Sequence, residues 1–355
     1  MADFLVRRDD LRTTRVDDDV DEAPLSDREA RLRVERFGFT ANNVTYGAFG
    51  EQMGYWRFFP APDGWGRIPV WGFGEVTESQ APGVEPGQRF YGYFPMSSTV
   101  TMRPRAGGGG FQDAAEHRAE LPATYNRYFE ATPEAGFAPE HDAATAVVRP
   151  LYMTGWLIAQ HLAPNSGPVA LASASSKTAY TTAYALNQLE DAPAVIGLTS
   201  ARNAEFVRSL GFYDTVLTYD EADQLPRGEG LRYVDMAGDA DLRRSVHEHV
   251  ADGLQASIVV GATHWDHAAL ETGGGPLPGP APEFFFAPAV AEQLASELGP
   301  AEFQRRIGAD WLGFLEPLAD ILDIEEHSGP EAVEHVYRSF LDGTADPRKG
   351  HVLNL

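Results

Sequence analysis

The chain has no cysteine among its 355 residues. That excludes disulfides, thiolate catalysis and every zinc site built on sulfur. Bases are scarce: 28 Lys and Arg stand against 52 Asp and Glu, a formal charge of -24. Such a surface repels phosphate polymers and anionic lipid, so neither nucleic acid nor membrane is an expected partner. No apolar run approaches the roughly 18 residues of a spanning helix. Met1 to Arg15 mixes acids with bases and lacks an apolar h-region, so it does not read as a signal peptide. The default expectation is a cytoplasmic protein. What is present is ample apolar material, 43% of residues, in a length that favours two domains.

The first part of the chain has the grammar of β structure. Asp9 to Glu22 reads either as a frayed lead-in or as solvated turns around a first strand. Arg31 to Gly38 alternates polar and apolar residues, as a half-buried strand does. Val70 to Glu78 reads as a strand whose Gly72 and Gly74 admit another backbone at close range. Arg89 to Met96 follows as an aromatic strand after a Pro/Gly turn. Ala106 to Ala123, with glycine at 107 through 110, reads as an inserted loop.

From Ala143 the grammar alternates. Helices are expected at Leu151 to Leu162, Ser176 to Leu189 and Asn203 to Leu210. Buried strands are expected at Pro168 to Ala172, Ala194 to Thr199, Thr215 to Thr218, Leu231 to Met236 and Ala256 to Gly261. Such alternation implies right-handed crossovers and a parallel sheet. The chain closes with a helix, Glu331 to Leu341, and a short strand, His351 to Leu355.

Open parallel sheets bind ligands beyond the carboxyl ends of their strands. The turn after the first of these strands is Ser173-Ala174-Ser175-Ser176-Lys177-Thr178. Dinucleotide folds place glycines here, so that backbone can touch pyrophosphate. This turn has none, yet its hydroxyls, the helix N-terminus and Lys177 are all suited to phosphate. The competing reading is a serine N-cap with no ligand. The second strand ends in Thr199-Ser200-Ala201-Arg202-Asn203, without the acid that holds the ribose diol of NAD. A hydroxyl at Ser200 and a cation at Arg202 suit a 2′-phosphate, so NADP(H) is the expected cofactor. Lys177-Thr178 does not complete a nucleoside-triphosphate loop, because both glycines of that motif are missing.

The order of these segments resembles the medium-chain dehydrogenase/reductase superfamily, in its zinc-free quinone and enoyl reductase branch and within that a poorly characterised bacterial subgroup. The resemblance is carried by Asn43-Val44-Thr45-Tyr46 with Gly50 and Gly54-Tyr55, Ile68-Pro69 through Val76, Val84 through Gly92, Val195 through Tyr219, and Arg338 through Leu355. It departs where the phosphate loop's glycines fall on Ser176, Lys177 and Ala179, where the family aspartate falls on Tyr46, at the 107–110 insert and in the long stretch Pro276 to Trp311.

The resemblance implies an α/β chain. A GroES-like β-rich substrate domain would span residues 1–145 and 325–355, and a Rossmann-type dinucleotide-binding domain residues 146–324. It implies a zinc-independent, NADPH-dependent reductase of an activated C=C or C=O bond in a small apolar substrate, acting as a homodimer. Two alternatives stay open: an NADP(H)-binding module without hydride chemistry, and an isomerase or lyase on the same fold.

Without zinc, tyrosine is a natural proton donor, and the resemblance places Tyr46 and Tyr55 near the nicotinamide, with Asn43 positioning substrate or ribose. Tyr46 comes first and Tyr55 second; the competing reading of each is a core aromatic with its hydroxyl satisfied. Thr154, at the opening of its helix, Tyr219, and the backbone of Gly261-Ala262-Thr263 complete the expected cofactor contacts. No metal site is expected: His264, Asp266 and His267 match no closed zinc set. His247 and His249, two apart on a helix, read as surface residues. Phe284-Phe285-Phe286 reads as a packed anchor, with a lid or dimer contact as the alternative.

Overall fold

A computed structural model describes residues 2–18, 23–163, 167–228, 230–260 and 275–355. The chain divides into two compact units, Met1–Pro150 with Leu322–Leu355, and Leu151–Ile321. The GroES-like and Rossmann-type folds expected above are both present.

The first unit opens with strands β1 (Asp3–Arg7) and β2 (Thr14–Asp17), an antiparallel pair where the sequence left a frayed lead-in open. Strand β3 (Ala30–Phe39) leads into helix α1 (Ala41–Ala48), and the short β4 (Trp65–Gly66) completes the small sheet β2-β1-β4. Then come β5 (Pro69–Ser79), β6 (Arg89–Pro95), β7 (Thr99–Met102), β8 (Pro104–Ala106), β9 (Gly110–Asp113), β10 (Arg127–Glu130) and helix α2 (Asp142–Val147).

The approach read into Gly72 is present: a Cβ there would lie 2.2 Å from the Arg36 carbonyl oxygen and 2.7 Å from the Phe37 Cα. Only glycine lets β3 and β5 pair at that spacing. The expected inserted loop is instead a hairpin, β8 to β9, turned by glycines at 107, 108 and 109 with positive φ. Those glycines are a turn requirement rather than a slack segment.

The second unit begins on helix α3 (Arg149–Leu162). It runs through β11 (Val169–Ala172), α4 (Lys177–Asn187), β12 (Val195–Thr199), α5 (Ala204–Ser209), β13 (Thr215–Thr218), β14 (Leu231–Asp235), α6 (Ala240–Val250) and β15 (Leu254–Val259). The two-residue β16 (Glu283–Phe284) follows, then α7 (Ala287–Leu298) and α8 (Pro300–Ile321). All pairings are parallel, in the order β13-β12-β11-β14-β15-β16. This is the doubly wound dinucleotide order, with its switch point at β11 and β14. Strands β11, β12 and β14 are buried along their whole length, as strands covered on both faces must be.

Helix α8 buries Phe303, Ile307, Trp311, Phe314 and Leu318, a stripe at spacings of three and four. Trp311 meets Tyr152 at 5.4 Å and Phe314 meets Tyr184 at 4.7 Å, so this longer piece forms an aromatic layer over α3 and α4. Phe284, the last residue of β16, is half exposed, and Phe285, just after the strand, is buried against His161.

The chain returns to the first unit through β17 (Asp323–Ser328), α9 (Pro330–Leu341) and β18 (Lys349–Asn354). These extend the large sheet in the order β17-β18-β3-β5-β6-β10-β9-β8, with β7 also on β3. Tyr337 of α9 packs edge-on against Phe4 and Phe39 and donates a 2.7 Å hydrogen bond to the Leu11 carbonyl. Among the described residues no helix is long and apolar enough to cross a membrane.

Candidate functional site

The turn after β11 is built on Ser173, which has φ of 55°. A non-glycine residue in that region costs of order 1–3 kcal/mol, held here by the packing around the turn. Its carbonyl accepts the Ser176 N–H at 2.7 Å, and the Ala174 N–H donates to the Leu198 carbonyl at 2.9 Å. Ser176 caps α4, its hydroxyl accepting the Ala179 N–H. The capping role weighed for this serine is therefore real. Lys177, first residue of α4, is largely buried, and Thr178 follows half-buried.

Of the residues expected beside this turn, Tyr219 meets it, and the end of β12 is tied to it through a residue that the sequence did not single out. Asn203 donates to the Ser175 hydroxyl at 3.1 Å, which ties the β11 turn to the end of β12. Tyr219 hydrogen-bonds Ser173; burial and then Asp239 push its hydroxyl up to about 12 against that pull. Tyr213, which the sequence reading missed, donates to the Ala174 carbonyl at 2.8 Å. At the end of β12 the hydroxyls of Thr199 and Ser200 are buried with no hydrogen-bond partner among the described residues. An unsatisfied buried hydroxyl costs about 1–3 kcal/mol, which a bound acceptor would relieve. Arg202 is exposed.

The buried acid at the end of β14 is already engaged. Asp235, ending β14, accepts from Ala237 and Gly238 N–H and from Arg243 at 2.9 Å. Burial raises its carboxyl above the usual range despite these bonds. Thr154 is not at a helix opening: it is the sixth residue of α3. Gly261, Ala262 and Thr263 lie outside the described residues, as do His264, Asp266 and His267.

In the first unit Tyr46 and Tyr55 meet at 4.5 Å between ring centroids. Tyr93 and Tyr125, 4.8 Å apart, close over them, and Trp71 lies 5.1 Å from Tyr93. Burial, with the neighbouring tyrosines adding to it, raises the hydroxyls of Tyr46, Tyr93 and Tyr125; burial raises that of Tyr55. All four are held protonated far above neutral pH.

Tyr46 sits on α1, and Asn42, one turn before it, donates to its hydroxyl at 2.7 Å. Asn43 faces elsewhere. Its Oδ1 accepts the Thr40 N–H at 2.8 Å in a capping box, and its Nδ2 donates to the Pro69 carbonyl at 3.0 Å. The amide is spent on starting α1, which corrects the expectation that Asn43 positions substrate; Asn42 is the amide on the tyrosine.

The insert proves to serve this cluster. Arg118, fully buried, pairs with Asp113 at 3.2 Å, donates to the Phe58 carbonyl and to the Tyr128 hydroxyl, and lies 4.5 Å from the Phe59 ring. The segment so anchored carries Tyr125 onto Tyr46 and Tyr55, at 6.5 and 6.1 Å.

No curated protein matches the chain. Solved structures match it over nearly its whole length at low identity. The NADPH complex of CurA from Vibrio vulnificus has TM-score 0.62 at 11% identity, covering 96% of this chain and 94% of that one. YhdH of E. coli K-12 with bound NADPH has TM-score 0.59 at 14% identity, covering 99% of each. A putative NADPH:quinone reductase from Bacillus thuringiensis has TM-score 0.60 at 12% identity, covering 100% of this chain and 98% of that one. These show a shared fold. A family model matches residues 37–346, and the chain belongs to the family it describes, "Protein of unknown function (DUF2855)".

Proposed function

We propose that the chain binds NADP(H) at the turn after β11 and reduces an activated C=C or C=O bond of a small apolar substrate without zinc. The observation that carries the cofactor choice is the buried, unpartnered Ser200 hydroxyl at the end of β12, on a segment with Arg202 and no carboxylate between Thr199 and Ala204. A ribose diol asks for an acid there; a 2′-phosphate asks for donors and positive charge. The strained Ser173 and the α4 N-terminus are suited to phosphate oxygens. Solved structures of this fold that hold NADPH support the same reading.

Bound nicotinamide supplies the hydride. Ser173 to Thr178 would orient its phosphates, Lys177 adding charge, while Ser200 and Arg202 select the phosphorylated ribose. Tyr46, kept protonated by burial, would donate its proton to the substrate oxygen or carbon as negative charge develops there. Asn42 would hold the Tyr46 hydroxyl in position.

Protein fluorescence titrated with NADPH and NADH tests the cofactor reading. NADPH should bind at least tenfold more tightly, and Arg202→Ala should erase most of that margin; equal or absent binding removes the argument. Turnover on an enone, quinone and acyl-thioester panel should fall about a hundredfold or more in Tyr46→Phe. One observation favours a second reading: Tyr46 is only 5% exposed and is walled by Tyr125. NADPH binding without turnover across the panel would select a binding module without hydride chemistry.

A further inference from the structure

The strand pair β17–β18 gathers three donors that the proposed reduction does not use. Parallel register sets His351 opposite Glu325, and the two-residue period of a strand puts His327 on the same face as Glu325. His327 Nε2 lies 3.0 Å from His351 Nδ1 and 3.7 Å from Glu325 Oε2. His351 Nδ1 lies 3.9 Å from the same Oε2. The three atoms form one triangle, and among the described residues this is the set of His and acid side chains arranged to hold an ion.

Its dimensions are those of a coordination face. Ligands about 2.0–2.1 Å from a tetrahedral zinc stand about 3.3–3.4 Å from one another. Without an ion, two imidazole nitrogens at 3.0 Å share one proton. A cation replaces that proton and takes both lone pairs. His351 is already fixed, nearly buried and edge-on to Phe340 at 5.6 Å. Glu325 and His327 are half-buried, which leaves the fourth position open to water or another ligand.

Charge does not forbid it. The Lys349 ammonium rests on Glu325 Oε1, leaving Oε2 as the oxygen nearest the imidazoles. Asp323 and Asp346 also act on Lys349, Asp346 being shared with Arg348. Two imidazoles and one carboxylate, with no sulfur, match zinc and its first-row neighbours rather than magnesium or calcium.

We propose that Glu325, His327 and His351 bind one divalent first-row ion of the zinc class. The ion would staple the edge strand β17 to β18, which itself pairs with β3. No tyrosine of the Tyr46 cluster takes part.

Cobalt(II) tests this on the full chain, stripped of metal. One equivalent should give the intense visible d–d bands of a low-coordinate site, and zinc should bleach them. His327→Gln and Glu325→Gln should each weaken binding at least tenfold, while His249→Gln leaves it unchanged. His327 is partly exposed, so its variant should retain the native circular dichroism, which keeps loss of binding distinct from loss of fold. Absent bands, bands of six-coordinate intensity, or bands that survive in both Glu325→Gln and His327→Gln would overturn the proposal.

Discussion

His247 is fully buried in α6, not on the surface where its spacing from His249 had placed it. Its Nδ1 lies 2.8 Å from the Pro278 carbonyl and its Nε2 2.8 Å from the Ser257 hydroxyl. A carbonyl only accepts, so Nδ1 carries the proton and Nε2 accepts from Ser257. The neutral ring satisfies both partners, and burial lowers its pKa below the ordinary histidine value. The unfolded chain therefore binds the extra proton first as pH falls. Stability should be complete above about pH 6.5 and should decline below it, toward the lower folded value. Thermal melts across that range should show the decline in the native chain and a shallower one in His247→Gln, which cannot take up that proton. Equal slopes would show that other groups dominate acid lability.

At the scale of elements, the β8–β9 hairpin and the segment after it act as one clamp on the aromatic cluster. Its rivet is a buried ion pair. Breaking such a pair on one side strands a charge and costs about 3–5 kcal/mol, whereas replacing both sides is often near neutral. Arg118→Met should therefore destabilise the chain by about that much in denaturant unfolding. Asp113→Asn together with Arg118→Met should recover most of the loss, since Asn still accepts the Arg103 and Ala115 N–H groups that Asp113 Oδ1 holds at 3.1 Å. Sequence could not show this, because a four-glycine run looks the same in a slack loop and in a hairpin turn. Helix α1 was missed for a similar reason: eight residues give too short a period to stand out among Gly, Tyr and Trp, although Thr40 and Asn43 form its capping box.

At the scale of the whole molecule, tyrosine burial sets the alkaline limit. Burial raises Tyr46, Tyr91, Tyr93, Tyr125, Tyr128, Tyr152, Tyr180, Tyr213, Tyr233 and Tyr337 above the free-tyrosine value of 10.0. Groups raised on folding contribute stability that is whole below the unfolded value and is lost as pH climbs past it. Ultraviolet titration should show a small tyrosinate signal up to about pH 10, followed by a cooperative rise coincident with unfolding measured by circular dichroism. A gradual titration of most tyrosines with the fold intact would contradict the buried network.

The sequence by itself determined what rests on short-range pattern. Buried apolar runs such as Val169–Ala172 and Val195–Thr199 have one stable use, the middle of a covered parallel sheet. Their spacing then fixed the crossovers, and with them the turn Ser173 to Thr178 and the strand end at Ser200 and Arg202. Only the tertiary structure decided which side chains face one another across distant segments. It placed Asn42, not Asn43, on Tyr46; it brought Tyr125, just after the insert, onto Tyr46; it set Arg243 on Asp235 and His351 beside His327. The physical reason is that pairing between strands and packing between layers depend on register and crossing geometry. Local periodicity carries no signal for either.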